Sequence, residues 1–211
     1  MPRRSPVRPW MVAVVALVIL AVAAALSTKV VSTEQAQAGA ADTFDPATYA
    51  QDHFEADIVP YIEENAVDLT TLLTDLAGGA DEAEFGNTSG ASSAYAFPVT
   101  FTAVAGAPTP PTLPLTVQGV PEGTTVLLQV GPALNGTALR DVSGTVSFNE
   151  FKNQLEYQQV ATELNELVKS EVLANLDVAA LEGKTIQVTG AFLRVNPALV
   201  SVVPTAVEVV E

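Results

Sequence analysis

Hydrophobic positions follow three rhythms along this chain. From Trp10 to Leu26 they are almost continuous. From Ile62 to Leu76, and again from Tyr157 to Val172, they recur every three or four residues, and from Tyr95 to Ala103 they alternate. A continuous run predicts a segment apolar all round, a period of three to four a helix with one buried face, and alternation a strand with one buried face. Asp45 followed by Pro46 is a helix start, because the carboxylate accepts an early N–H and proline at the first helical position loses no bond. Pro60 predicts a break or kink. Ile62, Ala66, Leu69, Leu73 and Leu76 then line one face until Gly78 and Gly79 end it, so two helices or one kinked helix occupy about 46 to 77.

Residues 78 to 94 are small and charged and predict an exposed loop. Beyond it Tyr95, Phe97, Val99, Phe101 and Ala103 predict a first strand, Leu113 to Val117 a second and Val126 to Val130 a third, each bounded by turn residues. Ser147 and Glu150 have the spacing of a capping box at the head of a long helix that carries Tyr157, Val160, Ala161, Leu164, Leu167, Val168 and Val172 on one stripe and ends near Asn175 to Asp177. Ile186 to Phe192 predict a fourth strand. Leu199 to Val210, interrupted at Pro204, predict a fifth and a short sixth. Three strands, a helix and two strands is the order of an OB-fold, a five-stranded Greek-key barrel, so the expected class is α+β. An open sheet covered by one helix has the same order.

Charge gives the chain a direction. Arg3, Arg4 and Arg8 precede the uncharged run from Pro9 to Thr28, and all 24 acidic residues follow it. Basic residues hold a short N-terminus in the cytoplasm, so residues 1–9 are expected inside, 10–28 as a transmembrane helix or uncleaved signal anchor, 29–44 as a tether and 45–211 as an extracytoplasmic domain. Trp10 to Leu26 reach about 25 Å as a helix, enough to span a slightly thinned bilayer. Small residues at Ala23 and Ala25, and at Ala36 and Ala38, also fit a cleaved signal peptide. After the run, six basic residues face 24 acidic ones, a net charge of about −18. Nucleic acid is therefore excluded as a partner, since such binding rests on cations neutralising phosphates.

The stretch from Gln129 to Asn165 resembles a known family. Gln129-Val130-Gly131-Pro132, Gly136-Thr137-Ala138-Leu139-Arg140-Asp141 and Phe148-Asn149-Glu150-Phe151-Lys152-Asn153-Gln154-Leu155-Glu156-Tyr157 are similar to the hallmark of the predicted periplasmic lipoproteins of unknown function, with further matches at Lys29-Val30-Val31 and Gly183-Lys184. The resemblance covers nearly the whole exported part. It implies an extracytoplasmic, membrane-attached protein, in bacteria often encoded near sugar-type ABC uptake systems, without an established activity. One departure is plain. The chain has no cysteine to carry a lipid or form a disulfide, so a retained helix becomes the expected attachment.

Candidate chemistry is sparse. Arg140 and Asp141 follow Asn135-Gly136-Thr137, and Asn153, Gln154 and Tyr157 cluster at the head of the long helix. A guanidinium beside amide groups can hold a sugar hydroxyl, a carboxylate or a partner backbone. Alternatively, Arg140 and Asp141 pair with each other or cap the helix while Asn153 and Gln154 bond loop backbone. His53 is the only histidine, so neither a histidine triad nor a zinc site of Cys and His can be assembled. Asp81, Glu82 and Glu84 lack the alternation of a calcium loop, and Glu163 with Glu166 reads as an exposed helix face. Asn87-Thr88-Ser89 and Asn135-Gly136-Thr137 fit the glycosylation sequon. Without a Gly-rich phosphate loop or serine elbow, no cofactor and no catalysis are expected. The expectation is a binding protein: an accessory of solute uptake touching an ABC transporter component or solute-binding protein, alternatively a binder of a sugar or peptide, and less readily a hydrolase.

Overall fold

Asp45 opens the first helix as its chemistry requires. Its carboxylate accepts the Ala47 N–H at 3.1 Å and the Thr48 hydroxyl at 2.8 Å, and Pro46 takes the first helical position. The computed structural model describes residues 44–90 and 93–210; the expected N-terminal span, and the tether up to residue 43, lie outside them. Helix α1 (Pro46–His53) runs through a π turn (Phe54–Ile58) straight into α2 (Val59–Asn65). The looser π ladder, with Val59 N–H reaching back to the Phe54 carbonyl, absorbs the N–H that Pro60 lacks, so the helix continues past it. The expected break falls instead at Ala66, whose backbone is extended, with ψ 123°. There the face drawn from Ile62 to Leu76 divides: β1 (Val67–Asp68) intervenes, and Asp68 caps α3 (Leu69–Ala77) by accepting the Thr71 N–H at 2.9 Å.

Five longer strands close into a barrel. They are β2 (Ala96–Ala105), β3 (Thr112–Thr116), β4 (Thr125–Gln129), β5 (Thr185–Leu193) and β6 (Leu199–Val209). Their order around the wall is β2-β3-β4-β6-β5, with β5 pairing back to β2; β4 and β6 run parallel and the other barrel neighbours antiparallel. This is the closed OB topology, which removes the open-sheet alternative. Little β1 adds a parallel edge to β2 through Val67 opposite Val99. The predicted alternation is borne out, with Phe97, Val99, Phe101 and Ala103 all buried in the barrel core. A separate sixth strand is not formed: β6 runs through Pro204, which lies opposite Gly190 where the β5–β6 register shifts. A bulge tolerates the missing proline N–H. Gly190 is what lets the strands meet there, since a Cβ on it would stand 2.3 Å from the Val203 carbonyl oxygen.

Between the third and fourth barrel strands come α4 (Ala138–Asp141) and α5 (Gln154–Leu167), the latter prolonged by a π turn (Val168–Val172) and a 3-10 turn (Leu173–Asn175). The expected capping box of Ser147 and Glu150 exists, but it closes a single 3-10 turn. Phe151 is extended after it, so the long helix starts only at Gln154, capped by Asn153. Of the predicted stripe Tyr157, Val160, Ala161, Leu164 and Val168 are buried, while Leu167 and Val172 are only partly so, and α5 packs against α1. Among the described residues no helix is long and apolar enough to cross a membrane.

Candidate functional site

The chain leaving β4 is braced from both sides before it reaches α4. Gln129 accepts the Asn135 N–H at 2.7 Å and donates to the Asn135 carbonyl at 3.1 Å. Asn165 on α5 donates to the Gly136 carbonyl at 3.1 Å, and Gly136 takes φ +98°, a conformation that favours glycine. Much of the motif around Gly136 therefore serves to hold one turn of helix in place.

That turn carries Arg140 and Asp141, which are 3% and 4% exposed. Arg140 Nε donates to Asp141 Oδ1 at 2.7 Å and Nη2 to Oδ2 at 3.1 Å, a bidentate pair. Arg140 Nη1 donates to the Tyr157 carbonyl at 3.3 Å, and the guanidinium lies 3.6 Å from the centre of the Tyr157 ring. Asp141 also receives the Thr137 hydroxyl at 2.6 Å and the Tyr157 hydroxyl at 3.4 Å. Burial, and next the charge of Asp141, push the Tyr157 phenol above its ordinary value and keep it protonated. Among the described residues, two of the five guanidinium N–H bonds of Arg140 have no acceptor.

Over this unit lies a concave cavity of about 660 Å³. Its walls come from the segment before β2 (Ser89, Ser93), from α4 and Thr137 just before it, from Phe148, from the first turns of α5 (Gln154, Tyr157, Gln158), and from Leu193, Arg194 and Val195 where β5 ends. None of these lining residues belongs to β3 or β4. Phe148 meets Tyr157 edge-on at 5.5 Å and is 43% exposed, so it offers an apolar ring at the opening. The Gln154 and Gln158 side chains are exposed.

Four of the five residues singled out from sequence thus share one cavity: Arg140, Asp141, Gln154 and Tyr157. Asn153 does not line it. Its carboxamide oxygen accepts the Leu155 and Glu156 N–H groups at 2.9 and 3.0 Å, capping α5. The alternative of Arg140 and Asp141 pairing with each other is realised as well, so the pair forms a wall before it can serve a ligand. The segment from 78 to 94 is not merely an exposed loop. Asn87 donates to the Tyr61 hydroxyl at 2.9 Å and the Val142 carbonyl at 2.7 Å while its backbone pairs with Ala96, which leaves its amide no freedom for a glycan. Arg194, Thr137, Phe148, Gln158, Ser89 and Ser93 were missed. For Arg194 a signal was present, since it and Arg140 are the only arginines after the apolar run. Among the described residues no group of three acidic or His side chains is placed to hold a metal.

A closed five-stranded barrel whose helices bridge the third and fourth strands defines an OB-fold domain. A crystal structure of an OB-fold protein from Thermotoga maritima, solved at 1.90 Å, is similar over 80% of this chain and 100% of that one, with a TM-score of 0.64 and 20% identity. No curated protein matches the chain. The chain belongs to the predicted periplasmic lipoprotein family (DUF2291), which it matches over residues 16–208. Membership makes it an extracytoplasmic, membrane-associated protein, although a cysteine for the lipid is lacking.

Proposed function

We propose that this protein works by binding a small polar ligand outside the cytoplasm, in the cavity above Arg140, and not by catalysis. The carrying observation is the concave shape of the site, with the exposed Phe148 ring on one side and hydrogen-bonding groups of Thr137, Arg140, Gln154 and Gln158 on the others. Ligand sites of this kind combine apolar walls with a few directed polar groups. A sugar or short peptide fits that description. Attachment to the membrane falls to the run from Trp10 to Leu26, retained as a single span, because there is no thiol for a lipid.

A second reading, contact with an ABC transporter component or solute-binding protein, is favoured by one observation. Phe148, Leu155 and Val195 are 43%, 67% and 75% exposed, and Phe148 and Val195 both border the cavity. The readings separate in one experiment on the full chain in detergent. Saturable binding of monosaccharides or dipeptides, weakened about tenfold, or ~1.4 kcal/mol, by Phe148→Ala with Gln158→Ala, supports the ligand reading. Binding that is indifferent to both changes removes it, and crosslinking from Leu155 in intact cells to a transporter component then selects the contact reading.

A further inference from the structure

Resting on that reading of the cavity, we infer that its ligand is a small hydroxylated carboxylate, held by Arg194 together with Arg140. The distribution of charge leads there. The part of the chain after the apolar run has a net charge of about −18 and only two arginines, yet both line this one cavity. The charged residues of its wall are Arg140, Arg194 and Asp141; Asp141 pairs with Arg140, and Glu82, just outside the wall, pairs with Arg194. Two guanidinium groups brought to one cavity in a strongly negative domain, each with N–H donors beyond those its own carboxylate takes, match a further carboxylate and disfavour cations.

The donors are unspent. Among the described residues, Arg140 keeps two N–H bonds after satisfying Asp141 and the Tyr157 carbonyl. Arg194 is tied to Glu82 through Nη1, and Glu82 does not line the cavity. Arg194 Nε is the only buried side-chain nitrogen or oxygen among the described residues that lacks a hydrogen-bond partner. A buried donor left unpaired by the protein is costly, and an acceptor brought to it offsets that cost. Planar guanidinium groups suit a carboxylate, which accepts paired N–H bonds. The hydroxyl of Ser93 and the amides of Gln154 and Gln158 serve ligand hydroxyls, and the Phe148 ring takes a C–H face.

Isothermal titration of the full chain in detergent with D-glucuronate and with D-glucose, which differ by the carboxylate, tests this. Glucuronate should bind at least tenfold more tightly than glucose. Arg194→Gln, on a partly exposed side chain, should leave the melting temperature within a few degrees and erase that preference, whereas Glu82→Gln, which frees the guanidinium, should enlarge it. Inorganic phosphate is the control for a bare anion: competition as strong as that of glucuronate overturns the carboxylate assignment. Equal affinity for glucose and glucuronate overturns the charge argument and leaves the small-ligand reading standing. If neither sugar binds, while the wild-type chain is folded by circular dichroism, both fall.

Discussion

Arg140 shows how a residue can be indispensable to a site without being free to act in it. Two of its bonds go to Asp141 and one to the Tyr157 backbone, all within a buried wall. A buried pair contributes little over an apolar substitute, but removing one partner strands a charge. Asp141→Ala is therefore expected to destabilise the protein by about 3–5 kcal/mol, read from the urea midpoint. A loss under ~1 kcal/mol would mean that Arg140 finds another acceptor. Tyr157 contributes a pH dependence. Its pKa in the fold lies above the value of 10.0 it has when unfolded, from burial first and the Asp141 charge next. Tyr49 is raised too, by burial and its hydrogen bond to Glu150. The neutral phenols are thus favoured by folding, a contribution complete below pH 10.0 and lost as pH climbs through the folded values. Tyrosinate absorbance should rise late, in step with loss of circular dichroism, and Tyr157→Phe should delay alkaline unfolding.

Helix α5 separates capping from binding. Asn153 belongs to the sequence motif yet bonds the first backbone N–H groups of α5, while its neighbours Gln154 and Tyr157 line the cavity. Asn153→Ala is expected to cost about 1 kcal/mol, and Asn153→Asp, which keeps an acceptor there, close to nothing. Ligand affinity unchanged in Asn153→Asp, measured beside the stabilities, would keep the residue out of the site. The same element shows where pattern reading misplaces a boundary. Ser147 and Glu150 satisfy every local rule for a helix start, and they do cap a turn, but Phe151 then goes extended and packs at 5.3 Å from the Tyr157 ring. Tertiary packing outweighed continuation. At Pro60 and Pro204 the opposite happens: a π turn and a bulge carry the element past a residue that should end it.

For the molecule as a whole, the decisive contact is the closure of β5 onto β2, because the end of β5 delivers Arg194 to the face already occupied by α4 and α5. The exported orientation remains the premise of any role in capturing a ligand. A phosphatase reporter fused after Glu211 is expected to be active only when it lies outside the cytoplasm, and activity of a cytoplasmic reporter at the same point would overturn both the span and the proposed function. The acidic surface is consistent with that place, since like charge keeps an exported domain soluble.

Local rhythm was enough to find the strands, the long helix and the OB order, because burial of one face imprints a period on neighbouring residues. Residue type and nearness along the chain singled out Arg140, Asp141 and Tyr157, whose partners stand close in sequence. Bringing Arg194 to the same cavity as Arg140, and leaving its Nε without a partner among the described residues, required the barrel to close. A contact between distant residues follows from how elements pack and leaves no periodic trace in the amino acids that make it.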